Sequence, residues 1–144
     1  MERLKNRVAI VTGAGQGIGR ALALGFAREG AKVVVADINE ENAASVKSEV
    51  EASGGTALAA STDVSNEDSV QTMVDESLRE FGKLDILINN AGIFPVSWVE
   101  EMKEEDWDRV IGTNLVGAFL CSRAVSGIFL QQGSGRIISI TSGG

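Results

Sequence analysis

Histidine and tyrosine are both absent from the 144 residues, and cysteine occurs once, as Cys121. Without histidine there is no Ser-His-Asp triad, no Cys-His pair and no histidine-bearing metal site. Any catalysis falls to Ser, Lys, Asp, Glu, Asn or a bound cofactor. A single cysteine rules out an internal disulfide, and a reducing, cytoplasmic compartment is the simplest fit. Positive charge is scarce too: 13 Lys and Arg stand against 20 Asp and Glu, a net charge of −7. That balance argues against a nucleic-acid partner, which needs a basic face, and against anionic membranes. The N-terminal Met-Glu-Arg-Leu-Lys-Asn-Arg has no apolar core behind it, so no signal peptide is expected. No run approaches the roughly 18 apolar residues of a membrane helix, so no span is expected either.

What is present fits one globular domain over residues 1–144 with a sizeable core, since 44% of residues are hydrophobic. Short β-rich runs alternate with helical patterns. Strands are predicted at 7–12, 32–37, 56–61, 84–89 and 136–141. Val8–Val11 and Val33–Ala36 are continuously apolar, as in strands buried on both faces. The helical segments carry apolar stripes. These are Ile18, Leu22, Gly25 and Phe26; Ala43, Val46 and Val50; Val70, Met73, Val74, Leu78 and Phe81; and Trp107, Val110, Ile111, Leu115, Ala118 and Phe119. Asn39 is expected to cap the second helix, and Ser65 with Asp68 to form a capping box for the third. Gly30, Gly54 and Gly82 sit where C-terminal capping glycines belong. The alternation implies a doubly wound α/β domain, a parallel sheet of five strands in order 3-2-1-4-5.

In such a sheet ligands bind beyond the carboxyl ends of the strands. After the first strand comes Thr12-Gly13-Ala14-Gly15-Gln16-Gly17-Ile18-Gly19. Gly13, Gly17 and Gly19 permit positive φ and close approach, and the helix that follows aims free N–H groups at a phosphate. The spacing is neither the general Gly-x-Gly-x-x-Gly fingerprint nor a P-loop. After the second strand comes Asp37 and then Ile38, 18 residues beyond Gly19. An acidic residue roughly 20 on accepts hydrogen bonds from an adenosine ribose. Its charge repels a 2′-phosphate, and no basic residue lies nearby in sequence, which favours NAD over NADP. Asp63-Val64 follows the third strand, where a carboxylate could meet an adenine amino group or simply start a helix. Asn89-Asn90-Ala91-Gly92 follows the fourth, with small residues that leave backbone exposed near a cofactor. Ser142 is a hydroxyl after the fifth. Asn114 interrupts the apolar stripe of the fourth helix, and an amide buried there must be hydrogen-bonded.

Taken together these motifs resemble the short-chain dehydrogenase/reductase family, in its 3-oxoacyl-carrier-protein reductase and polyol dehydrogenase branch. Thr12-Gly13-x-x-x-Gly17-x-Gly19 is similar to its cofactor motif. Asn89-Asn90-Ala91-Gly92 is similar to its signature after strand four. The segment Gly135–Ser142 also falls in order. The resemblance implies an NAD(H) site made by Gly13, Gln16, Gly17, Ile18, Gly19, Asp37, Ile38, Asp63, Val64, Asn90, Ala91 and Gly92. It implies hydride transfer with an alcohol or ketone, Ser142 bonding the substrate oxygen and Asn114 holding a water of the proton relay. The family's acid/base is a Tyr-x-x-x-Lys pair. This sequence has no tyrosine and stops two residues after Ser142, so it is expected to be the cofactor-binding portion, without turnover of its own. A stand-alone NAD-binding module is the alternative. An S-adenosylmethionine methyltransferase would want an acidic residue ahead of the glycines, where Thr12 stands. Self-association is expected through the fifth strand, with Ile137, Ile138 and Ile140. The other route is the fourth helix, where Cys121, Val125, Ile128, Phe129 and Leu130 should lack cover.

Overall fold

The computed structural model describes residues 2–142. Gly143 and Gly144, the last residues of the motif around Ser142, lie outside them. The elements in chain order are β1 (Val8–Thr12), α1 (Gly17–Arg28), β2 (Lys32–Asp37), α2 (Glu40–Ala52), β3 (Thr56–Ser61), α3 (Glu67–Phe81), β4 (Ile86–Asn89), α4 (Glu104–Ile111), a π-helical turn (Gly112–Val116), α5 (Gly117–Gln132) and β5 (Arg136–Ser139). The strands form one parallel sheet in the expected order, β3-β2-β1-β4-β5. β4 and β5 are each two residues shorter than the apolar runs suggested. Pairing accounts for this at β5, where β4 offers partners only as far as Asn89, opposite Ser139.

Strand alternation divides the core between the two faces of the sheet. Val8 and Ile10 point to a cluster covered by α3 and α5, through Val70, Met73, Val74, Leu120, Cys121 and Val125. Ala9 and Val11 point the other way, to Ala23, Ala27, Ala43, Val46 and Val50 of α1 and α2. Small alanines let α1 and α2 lie close to the strands. At the amino edge, Asp85 accepts the Val8 N–H at 2.9 Å and pairs with Arg7 and Lys83 at 2.9 and 3.0 Å, tying β1 to β4.

The helix ends mostly follow their local chemistry. Asn39 caps α2 by accepting the Asn42 N–H, and Gly30, Gly54 and Gly82 all have the positive φ of helix-ending glycines. The capping box is a correction: Asn66, not Ser65, caps α3, accepting the Ser69 N–H at 2.8 Å. Ser65 turns back to Asp63 instead, which removes it from the cap.

The fourth helical segment departs furthest from the sequence reading. Trp107, Leu115 and Phe119 of its bulky stripe face solvent, whereas Gly117, Leu120, Cys121 and Val125 face the sheet. The reason is close packing: a Cβ on Gly117 would lie 2.6 Å from Val64 Cγ2. The contact is made by a residue with no side chain, which a count of large apolar residues passes over. Cys121 and Val125 are therefore covered, and of the residues expected to lack cover Leu130 stands out most. The continuous helix Glu104–Gln132 is also long and apolar enough, by length and composition, to cross a membrane, contrary to expectation. Its α5 part lies against β4 and α3, while Trp107, Leu115, Phe119 and Leu130 of the same helix stay exposed.

Candidate functional site

The chain runs from β1 outward through β2 and β3, then returns to place β4 on the other side of β1. That reversal opens a crevice at the carboxyl ends of β1 and β4, the usual ligand position in such sheets. Thr12 closes β1 there and is 1% exposed. Its Oγ1 accepts the N–H groups of Asn90 and Ala91, both at 3.0 Å, and donates to the Ile88 carbonyl at 3.2 Å. Asn90 answers with its Nδ2, which donates to the carbonyls of Thr12 and Gly13 at 3.0 and 3.2 Å. The glycine turn is thus sewn to the loop after β4.

Two glycines are required by these contacts. Gly13 has φ +62°, and a Cβ on it would lie 2.8 Å from Ala91 Cα. A Cβ on Gly19 would collide with the Gly13 carbonyl. Gly17, at φ +56°, has open space around it, so its backbone stays uncovered. The first turn of α1 begins beside it. Gln16, its N-cap, makes no capping bond, and no acidic residue lies in that turn. By contrast α2 and α3 each have a side-chain capping bond and acidic residues in the first turn. Without a side-chain acceptor, the free N–H groups and the positive helix end are left for an external anion. Ile18 on this turn and Ile38 after β2 are 63% and 71% exposed, two apolar side chains flanking the opening.

Asp37 ends β2. Its Oδ1 accepts the Asn39 N–H at 2.9 Å and its Oδ2 accepts the Gly15 N–H at 2.8 Å. A carboxylate has about four acceptor positions, so about two remain for a ligand. At the end of β3, Asp63 Oδ1 accepts the N–H and hydroxyl of Ser65 at 2.9 and 2.6 Å, a local turn. Val64 beside it is buried against Gly117.

A cavity of about 170 Å³ lies between the mouths of β4 and β5, lined by Thr12, Ala91, Asn114, Ser139 and Thr141 among others. Larger clefts occur between α3 and α5 and beside α1, but both are away from the carboxyl ends of the strands. Asn114 lies in the π-helical turn. It is exposed, not buried as its place on the stripe implied, because that stripe faces outward. Its amide is nonetheless paired: Oδ1 accepts the Ile93 N–H at 2.8 Å and Nδ2 donates to the Ile93 carbonyl at 2.9 Å. Gly92, adjacent, comes close enough that a Cβ would be 3.4 Å from Asn114 Oδ1. The preceding Asn89 is buried and donates to Ser122 and Ser139 at 3.1 and 3.4 Å. Ile140 N–H bonds the Asn89 carbonyl at 2.9 Å, and exposed Ser142 follows two residues later.

The structure therefore gathers Gly13, Gly19, Asn90 and Ala91 at one mouth, Asn114 and Gly92 at its rim, and Asp37 at the next strand. Asp63 is engaged locally. Sequence reasoning placed Thr12 and Gly15 in the glycine turn without a contact of their own, and it did not single out Ser122 or Ser139. Thr12 did carry a signal, a polar residue ending an otherwise apolar strand.

The family described as short chain dehydrogenase matches residues 7–144. A 3-oxoacyl-[acyl-carrier-protein] reductase of Synechocystis sp. is 48% identical over 143 residues, 99% of this chain and 58% of that protein. The (2S)-[(R)-hydroxy(phenyl)methyl]succinyl-CoA dehydrogenase subunit BbsD of Thauera aromatica is 41% identical, over 96% of this chain and 56% of its own length. A solved 7α-hydroxysteroid dehydrogenase, complexed with NADH and 7-oxo glycochenodeoxycholic acid, superposes with a TM-score of 0.91 at 39% identity, covering 97% of this chain and 55% of that one. The chain thus spans little more than half the length of these relatives. The chain therefore belongs to the short-chain dehydrogenase family of oxidoreductases.

Proposed function

We propose that this chain is the NAD(H)-binding portion of a dehydrogenase that moves hydride between the nicotinamide ring and an alcohol or ketone carbon. The observation that carries the reading is Asp37, a carboxylate at the β2 end beside the glycine turn, with acceptor capacity left over. Its spare oxygens take ribose hydroxyls, and its charge disfavours a 2′-phosphate. The uncovered backbone of Gln16, Gly17 and Ile18 and the start of α1 hold the pyrophosphate. Asp63 and Val64 border the adenine, and Asn90, Ala91 and Gly92 form the wall toward the nicotinamide. Bound NAD supplies the hydride acceptor. Ser142 donates a hydrogen bond to the substrate oxygen, and Asn114 holds a relay water.

The 144 residues contain no tyrosine, so a Tyr-x-x-x-Lys acid/base pair has to come from outside them. The chain alone then binds cofactor without turnover. The same absence favours a second reading, a binding module that never catalyses. We place either activity in the cytoplasm, which suits a free Cys121. Titration of NADH fluorescence should saturate, with NADPH binding at least about tenfold more weakly, a difference of about 1.4 kcal/mol. Equal affinities, or tighter NADPH, would sink the NAD reading. Alcohol oxidation by the 144 residues that disappears in Ser142→Ala would sink the claim of incompleteness.

A further inference from the structure

We propose that Asp37 and Gly15 form a latch that fixes the glycine turn against the end of β2, so that one carboxylate both builds the cofactor cradle and reads the ribose. The second half of this statement rests on the NAD reading above; the first half does not.

The turn has two attachments. On one side Thr12 and Gly13 are bound to Asn90 and Ala91 of the β4 loop. On the other side two successive N–H groups reach β2: Ala14 donates to the Ala36 carbonyl at 3.0 Å, and Gly15 donates to Asp37 Oδ2 at 2.8 Å. Only the last of these is made by a side chain. Hydrogen bonds to a charged acceptor are the stronger kind, roughly twice a neutral one. Contact on this side is also close. A Cβ on Gly15 would lie 2.8 Å from Asp37 Oδ2, 2.9 Å from its Cγ and 2.7 Å from Asn42 Cβ. Position 15 is therefore glycine because Asn42 Cβ and the Asp37 carboxylate together leave no room for a side chain, although its φ is ordinary for any residue. Gly15 is a positioning residue and Asp37 is its partner.

The geometry makes the two duties compatible. Oδ1 holds Asn39 N–H at the entry to α2 and Oδ2 holds Gly15 N–H. Each oxygen keeps about one further acceptor site for a ribose hydroxyl. Asparagine cannot reproduce this. It offers one carbonyl oxygen, and its amide group would meet the other N–H donor against donor. Removing the charge should therefore loosen the turn itself, and not simply lift the repulsion of a 2′-phosphate.

Amide exchange by NMR in the ligand-free chain tests the latch directly. Asp37→Asn should speed exchange at Gly15 at least about tenfold, while Val34 and Val46 in the core keep their protection. In fluorescence titrations Asp37→Asn should weaken NADH about tenfold or more without any gain for NADPH. Gly15→Ala, which pushes the carboxylate away, should weaken NADH comparably. The double variant should lose clearly less than the product of the two single losses, because both weaken the same contact while the Asn42 clash belongs to Gly15→Ala alone. Unchanged Gly15 exchange in Asp37→Asn, a NADPH gain, or losses that multiply in the double variant would each overturn the latch. If the wild-type chain fails to bind NADH, the NAD reading falls, and the exchange measurement still decides the latch.

Discussion

Replacing Thr12 by valine keeps the shape of the side chain and removes only its hydroxyl, which joins the glycine turn to the loop after β4. The hydroxyl accepts two N–H groups, from Asn90 and Ala91, and gives one proton to Ile88. Leaving a buried donor unpaired costs about 1–3 kcal/mol. Both N–H groups here are only partly buried, so the lower end applies to each, about 2–3 kcal/mol in all. For a domain near this size each kcal/mol lowers the melting temperature by roughly 2–4 °C. Thr12→Val should then melt roughly 4–12 °C below wild type by circular dichroism. Thr12→Ser, which keeps the oxygen, should recover most of the difference. NADH affinity should fall with it, since Gly13 and Asn90 move together. A Thr12→Val chain within about 0.5 kcal/mol of wild type, the ordinary range for a surface substitution, would refute the idea that this hydroxyl sets the crevice.

Asp85 offers a pH test. Burial opposes its charge, but the Val8 N–H, Lys83 and Arg7 outweigh that and hold its carboxyl below the ordinary value of 3.8. A depressed folded-state pKa means stability that is fully present above the unfolded value and lost as pH falls through the folded one. Urea titrations should show Asp85→Asn weaker than wild type at pH 7 by about 1–3 kcal/mol, with the gap closing below about pH 4; a gap independent of pH would contradict this. Burial pushes the Cys121 thiol up to about 12, so a thiol reagent at pH 8 should modify it only as fast as the chain opens, and rapid labelling of the native chain would be inconsistent with its position. The exposed β5 isoleucines and the outer face of α4–α5 should make the chain self-associate, which Ile138→Lys or Phe119→Glu should reduce; a stable monomer by light scattering at all concentrations would rule this out.

The parallel order of the sheet was legible because its evidence is local and repeated. Five apolar runs, the first four each followed by a helical stripe, leave few topologies open. Helix ends were legible where one residue type has one reason to be there, as at Asn39, Gly30 and Gly82. Two kinds of feature were not. Where neighbouring residues compete for one role, as Ser65 and Asn66 do at the start of α3, the winner depends on a tertiary contact, here Ser65 to Asp63. Where packing is made by an absent side chain, as at Gly117 against Val64, hydrophobic periodicity points to the wrong face.

The site divides along the same line. Glycine spacing and the acid after β2 name the ligand class, because they are what a phosphate and a ribose need within a short stretch of chain. The work of holding them in place is nonlocal. Thr12 reaches across 78 and 79 residues to Asn90 and Ala91, and Gly15 reaches across 22 to Asp37. In each pair nothing in the local sequence shows that the two partners meet. A glycine at 15 carries no φ requirement, so nothing in the turn alone distinguishes it from a spacer. It becomes necessary only when β2 and α2 bring the Asp37 carboxylate and Asn42 Cβ to within 2.8 Å of where its Cβ would be. The reach of one motif residue thus explains another position that the motif leaves free, and a substitution at 15 should be read through Asp37 before it is read through the cofactor.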